Sequence, residues 1–213
     1  MSKTRNQNSH FSPFAALLAL LVVAFISPTS ARALTLPPPD FKPPDISGIV
    51  ELAESQLKKR VSENRSNNVP RYRNGKGRIA PFSIGDQWCA AFATWVWQRN
   101  GFVAYQGARL LRRSHDGTSV AVQVKDLTQW AQRNGYFSYA AMPGFLVAYG
   151  TNHIGIVSSV NRKGRALLSI EGNKSDKVSA VTIEMKDVTG YISPFRIFPS
   201  LAVSRSSPRA DVD

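Results

Sequence analysis

A single cysteine stands at the predicted first turn of a helix, and this position constrains the fold and the chemistry of the chain most strongly. Residues 85–101 read GDQWCAAFATWVWQRNG, with apolar side chains at helical spacing after Cys89 and Gly101 where a left-handed C-cap would lie. Asp86 is placed to accept hydrogen bonds from the free N–H groups of the first turn. The helix dipole favours a thiolate at Cys89, as a nucleophile requires, although a small buried hydrophobic residue is the alternative.

The first 33 residues have the features of a secretory signal peptide. Lys3 and Arg5 give a basic start, residues 14–26 form an apolar run, and residues 31–33 fit a small-x-small cleavage pattern. The apolar run is short for a membrane span, and no second such run follows. We therefore expect a cleaved signal, a secreted or periplasmic protein and no stable membrane anchor after cleavage. An uncleaved amphipathic anchor is the alternative.

Export makes the single cysteine informative. Structural cysteines in an oxidising compartment occur in pairs, and Cys89 has no partner for an intramolecular disulfide or a cysteine-rich metal site. This raises the expectation that the thiol is kept for its reactivity.

The charge balance is strongly basic. Removal of residues 1–33 would leave 24 Lys and Arg residues against 14 acidic ones, a charge of +10. Such a surface favours anionic surroundings, and for an exported protein the acidic polymers of a bacterial wall are the natural candidates. Nucleic acid is not expected, since the chain carries no recognised binding motif. Charge alone does not distinguish these partners from simple solubility.

Helix signals come first along the chain and strand signals follow. We expect a proline-rich linker at 34–45, a folded domain at 46–199 and a disordered tail at 200–213. Helices are predicted at 46–61, 87–100 and 125–134, loops at 62–76 and 109–117, and strands at 145–149, 153–160, 166–171, 178–185 and 190–198. This order indicates an α+β fold, with helices packed on an antiparallel sheet.

A cysteine nucleophile needs a neighbouring base, and the chain has three histidines. His10 lies in the predicted signal peptide, and His115 lies in a basic loop where a surface role is expected. His153 begins a predicted strand, and Gly155 leaves room beside it. His153 is therefore the candidate base, with a partly buried histidine held by backbone groups as the alternative.

A predicted hairpin supplies candidates for a third group. The turn sequence at 161–164 would bring the end of the return strand back beside His153. Glu171 or Asn173 could then accept a hydrogen bond from the imidazole and fix its tautomer. An edge carboxylate and a turn asparagine are the structural alternatives.

Four short motifs in this order resemble a known family: QWCAAF at 87–92, PG at 143–144, HIGIV at 153–157 and IEGN at 170–173. They resemble the CHAP domain, the cysteine, histidine-dependent amidohydrolase/peptidase family, over about residues 46–198. The resemblance implies a papain-like fold with the nucleophile at a helix N-terminus. It also implies cleavage of amide bonds in peptidoglycan, by an endopeptidase or an N-acetylmuramoyl-L-alanine amidase.

The same resemblance implies roles for individual residues. Cys89 would be the nucleophile, His153 its general base, Glu171 the group that orients the imidazole and Asn173 a second polar group of the site. Gln87 would lie in the oxyanion region with the Cys89 backbone N–H. No metal or organic cofactor is implied. A non-catalytic wall-binding module on the same fold, or an amidase for another amide, is the alternative.

Two departures from the family pattern carry expectations of their own. Phe145 stands where the family usually has Asp after Pro-Gly, so we expect a local structural change there. Some members bind calcium through an acidic loop ahead of the cysteine, but the corresponding segment 71–78 is basic here. We therefore predict no calcium site.

Overall fold

The computed structural model describes residues 45–65, 67–73, 75, 77–150 and 152–197. The predicted signal peptide, almost all of the predicted linker and the predicted tail lie outside the described residues. The described chain forms, in order, α1 (Ser47–Lys58), β1 (Val61–Ser62), β2 (Arg71–Tyr72), α2 (Cys89–Arg99), a 3-10 turn (Ala104–Gly107), β3 (Leu111–Arg113), β4 (Ser119–Ala121), α3 (Val124–Asn134), β5 (Phe137–Ser138), β6 (Leu146–Tyr149), β7 (His153–Asn161), β8 (Ala166–Glu171), β9 (Ser179–Glu184), a second 3-10 turn (Met185–Asp187) and β10 (Val188–Ile192).

Six of these strands form one antiparallel sheet in the order β5-β10-β6-β7-β8-β9. Two small antiparallel pairs, β1-β2 and β3-β4, lie outside it. The register places Tyr149 opposite His153 across β6 and β7, and Ile156 opposite Ile170 across β7 and β8. The mixed helix and antiparallel sheet organisation confirms the predicted α+β class.

Side chains along the strands of the sheet belong alternately to two hydrophobic clusters, one on each face, as expected for a sheet covered on both faces. Ile154, Ile156 and Ile170 belong to the cluster that also contains the buried residues of α2 and α3. Val157 and Leu167 belong to the second cluster. The cysteine-bearing helix is thus packed into the larger core, and nine of its residues are buried.

Several element boundaries differ from the sequence prediction. The first helix ends at Lys58 and not at residue 61, because Arg60 adopts a left-handed conformation (φ 51°) and Val61 pairs with Tyr72 in the β1-β2 ladder. The predicted loop at 62–76 therefore contains strand residues, and the predicted loop at 109–117 contains β3. The last predicted strand begins earlier, at Val188, and ends at Ile192.

The C-termini of α2 and α3 follow the sequence prediction closely. Gly135 adopts a left-handed conformation (φ 77°) at the end of α3, and Gly101 does so after α2 (φ 81°). Phe102 donates its backbone N–H to the Trp97 carbonyl at 3.0 Å, which closes the end of α2. No described helix is both long and apolar enough to cross a lipid bilayer.

The Pro-Gly motif forms a turn that joins the sheet to α2. Gly144 has a φ of 82°, and its carbonyl accepts a hydrogen bond from Trp97 Nε1 at 3.0 Å. The following Phe145 is 1% exposed and packs edge-on against Phe195, with ring centroids 5.8 Å apart. Phe145, at the position where the resembling family usually has Asp, thus extends the second cluster.

Candidate active site

Cys89 is the first residue of α2, and the residue before it is firmly held. Trp88 is fully buried, and its Nε1 donates to the Glu63 carboxylate at 2.5 Å. Glu63 also accepts the backbone N–H of Asn68 at 2.5 Å. Cys89 itself is 6% exposed. The thiol is therefore set at a helix start whose position is fixed by a segment far away in the chain.

The N-terminus of α2 has no side-chain cap among the described residues, so the predicted capping role of Asp86 is wrong. Asp86 instead accepts the backbone N–H of Gln87 at 2.7 Å and lies 3.3 Å from the Arg112 guanidinium. The first hydrogen bond of the helix runs from the Phe92 N–H to the Trp88 carbonyl. Backbone N–H groups ahead of Phe92 remain available to a bound anion, as is usual at an uncapped helix start.

His153 begins β7 beside Cys89 and Glu171. Its Nε2 lies 3.1 Å from Glu171 Oε2, at ion-pair distance but off the line of an ideal hydrogen bond. Burial lowers the pKa of His153, but interactions with Cys89 and Glu171 raise it, to about 9 overall. At neutral pH the His153 imidazole is therefore cationic, between the side chains of Cys89 and Glu171. His115, by contrast, is exposed between β3 and β4.

Glu171 ends β8 with its side chain completely buried. Of the two candidates for the group that orients the imidazole, the structure places Glu171 beside His153. Asn173 lies further along, in a left-handed conformation (φ 58°), and its Nδ2 donates to Gln87 Oε1 at 3.0 Å. The side chains of Asn173 and Gln87 are thus in contact. The Gln87 side-chain NH₂ keeps its donor capacity.

A tyrosine and a lysine that sequence reasoning missed complete the polar cluster. Tyr149 donates its hydroxyl to Glu171 Oε2 at 2.6 Å and accepts from Lys174 Nζ at 3.3 Å. Its ring packs edge-on against His153, with centroids 5.4 Å apart. Burial raises the pKa of Tyr149, and the Glu171 carboxylate raises it further, so the phenol stays a proton donor. The only sequence signal was the place of Tyr149 at the end of a strand in the same hairpin as His153.

The missing side chain of Gly155 makes room for Glu171. A Cβ at this position would collide with Ser169 Oγ and lie 2.7 Å from Glu171 Cγ. The sequence predicted free space beside His153, and the structure fills that space with the carboxylate. Glu171 Oε1 and Ser169 Oγ are buried without a hydrogen-bond partner among the described residues.

The chemical groups that this arrangement brings together are those of nucleophilic catalysis. Within the described ranges no group of three or more His, Cys, Asp or Glu side chains is placed to hold a metal ion. The side chains of Cys89, His153 and Glu171 place a thiol, an imidazole and a carboxylate in the order that a cysteine catalytic triad requires.

Comparison with known proteins agrees with the motifs. Residues 82–173 match a family model described as the CHAP domain. Neither the curated proteins nor the solved structures gave a match. The matched segment contains all four sequence motifs and ends at Asn173. The resemblance that the motifs indicated is therefore confirmed over residues 82–173, the segment that matches the CHAP domain model.

Proposed function

We propose that this protein is an exported cysteine hydrolase that cleaves amide bonds in peptidoglycan, as an endopeptidase or an N-acetylmuramoyl-L-alanine amidase. The CHAP domain belongs to a family of amidase- and peptidase-type hydrolases that act on peptidoglycan. The observation that carries the proposal is the cluster of Cys89, His153 and buried Glu171 at an uncapped helix start.

The proposed reaction has two steps. The Cys89 thiolate attacks the amide carbonyl carbon to form a C–S bond, and the carbonyl π electrons move onto oxygen. As the tetrahedral intermediate collapses, the C–N bond breaks and the His153 imidazolium gives its proton to the leaving amine. Water then attacks the thioester and gives a proton to His153. Collapse releases a carboxylic acid and regenerates the thiolate–imidazolium pair.

The proposed oxyanion site is the start of α2. The developing negative charge would lie against the Cys89 backbone N–H and the positive end of the helix dipole, where preorganised donors are most effective. The Gln87 side-chain amide is the second proposed donor. Its Oε1 accepts the hydrogen bond from Asn173, so its NH₂ group can still donate to an oxyanion. The papain-like arrangement implied by the family is part of this proposal.

A basic groove supports anionic wall polymers as partners. It has a volume of about 520 Å³, lies between the end of α1 and the start of β9, and is lined by Arg60, Arg73 and Lys177 with no acidic residue. Electrostatic attraction would hold the enzyme on a polymer of phosphate or carboxylate groups. Binding to intact walls should weaken as salt screens these charges.

Digestion of purified peptidoglycan tests the proposed function. The purified protein should release soluble fragments whose new termini, identified by mass spectrometry, distinguish the two activities. New amino termini within stem peptides indicate an endopeptidase, and free lactyl groups indicate an amidase. The Cys89→Ala and His153→Ala variants should lose at least about a thousandfold in rate, since a triad acts as a unit.

A second histidine gives a matched control. His115 is exposed, and the His115→Ala variant should keep the rate of the unmodified protein. Release of no fragment by the unmodified protein, together with retained wall binding, would refute hydrolysis and favour a non-catalytic wall-binding module. Cleavage of simple amides alone would favour another substrate.

A further inference from the structure

We propose that a small cavity beside His153 is the subsite for the leaving-group residue of the substrate. We further propose that Lys125 recognises a free carboxylate on that residue. This inference rests on the proposed hydrolase function and adds the chemical class of the group on one side of the scissile bond.

The cavity lies where four parts of the chain meet. It is lined by the first turns of α3, by residues 148–150 at the end of β6, by Asn152 and His153 at the start of β7, and by Thr189 of β10. The cavity therefore shares His153 and Tyr149 with the polar cluster of the candidate active site. A concave site with convergent polar groups next to a residue of perturbed pKa is the expected form of a binding site.

The position beside the histidine decides which part of the substrate the cavity receives. In cysteine hydrolysis the imidazolium protonates the departing nitrogen, so the residue that carries this nitrogen must lie on the histidine side. The acyl part remains on the cysteine at the start of α2. A cavity that adjoins His153 is thus on the leaving-group side of the scissile bond.

The size of the cavity limits its occupant. Its volume is about 170 Å³. Sites for drug-sized ligands usually occupy about 300–1,000 Å³, and one water takes about 30 Å³ of liquid. The cavity can hold one amino-acid residue or a group of that size, and it is too small for a stretch of polymer.

Charge specifies the chemistry of that residue. Among the residues that line the cavity, Lys125 is the only lysine or arginine. No acidic residue lines the cavity. Lys125 is exposed and forms no ion pair with any described residue. The neighbouring Asp126 is outside the cavity lining, buried, and accepts the Leu110 N–H at 2.9 Å. A carboxylate on the leaving-group residue would therefore meet an unpaired ammonium group.

Alkylation of Cys89 with a matched pair of reagents tests the carboxylate site without a substrate. Iodoacetate and iodoacetamide react with the same thiolate by displacement of iodide, but only iodoacetate carries a carboxylate. The Lys125→Gln variant should lower the iodoacetate-to-iodoacetamide rate ratio at least about fivefold, and Lys125→Arg should restore it. Lys163→Gln, in the exposed turn after β7, should leave the ratio within about twofold of the unmodified protein.

An unchanged ratio in Lys125→Gln would overturn the carboxylate site. The leaving-group assignment is tested next, with the smallest fragment cleaved in the digestion, prepared with its leaving-group carboxylate free or amidated. Lys125→Gln should lower kcat/KM about tenfold for the free acid and leave it nearly unchanged for the amide. An equal fall for both fragments would overturn the assignment. Failure of the proposed function would be visible separately, as an absence of any cleavable fragment.

Discussion

Replacement of Glu171 by Gln isolates the effect of one buried negative charge on His153. The Glu171 side chain is completely buried, and its Oε2 lies 3.1 Å from His153 Nε2. Gln keeps the shape of the side chain and removes its charge. Burial lowers the pKa of His153 and remains in the variant, whereas one of the two interactions that raise the pKa to about 9 is lost.

The expected size of the change follows from the strength of such contacts. A hydrogen bond to a charged group contributes about 1.5–3 kcal/mol, and one pKa unit corresponds to about 1.4 kcal/mol. The pKa of His153 in Glu171→Gln should therefore fall from about 9 to about 7–8. The alkaline limb of kcat/KM should move to lower pH by the same amount, because the imidazolium is the proposed proton donor.

Two measurements check this expectation. The pH dependence of kcat/KM from about pH 5 to about pH 10 gives the alkaline limb, and NMR of a histidine-labelled protein gives the titration of the imidazole directly. Glu63→Gln is a matched control, since it also removes a buried carboxylate but one that contacts Trp88. It should lower stability and leave the His153 titration in place. An unchanged His153 titration in Glu171→Gln would show that this carboxylate does not hold the imidazole protonated.

Four further expectations follow from the same cluster. Gly155→Ala would place a Cβ 2.7 Å from Glu171 Cγ, so the free energy of unfolding, measured with urea, should fall by about 1–3 kcal/mol. Ser169→Ala should be neutral or slightly stabilising, because its buried hydroxyl has no partner in the described chain, and it should recover part of the Gly155→Ala loss; full additivity would contradict the steric argument. Tyr149→Phe should lower kcat about tenfold with little change in KM, since it removes the 2.6 Å hydrogen bond that fixes Glu171; steady-state kinetics would show otherwise if KM alone rose. Because the folded-state pKa of His153 is about 9 against an ordinary 6.5, its stabilising contribution is complete below about pH 6.5 and lost as the pH rises to about 9. The unfolding free energy should decrease over that window by up to about 3 kcal/mol, and His153→Asn should remove this decrease in urea titrations at several pH values.

The sequence predicted the elements whose signals are local. The left-handed glycine after α3 and the strand Ala166–Glu171 were predicted at the observed positions. Cys89 could be placed at a helix start because periodic apolar residues and Gly101 define that helix. The two-residue strands β1 and β2 were missed, because two residues have no measurable periodicity and their pairing depends on a distant partner.

Long-range contacts account for what the sequence could not predict at the site. Asp86 fits a capping pattern, but its carboxylate is engaged by the Gln87 N–H and by Arg112, which is distant in sequence. Tyr149 has no motif of its own, and its role appears only when the β6–β7 register sets it opposite His153. The choice between Glu171 and Asn173 likewise required the path of the chain after β8. Local sequence patterns identified the candidate residues, but their hydrogen-bond partners depend on tertiary contacts that the sequence does not reveal.

The order of the sheet has a consequence for the synthesis of this protein. β10 is the last strand of the described chain, yet it lies between β5 and β6 and pairs with both. During synthesis the N-terminus emerges first. Cys89, His153 and Glu171 therefore emerge before β10, the strand that joins β5 to β6. The sheet can be completed only after Ile192, the last residue of β10, has emerged. A protein with this strand order completes its sheet late, after Cys89, His153 and Glu171 have left the ribosome.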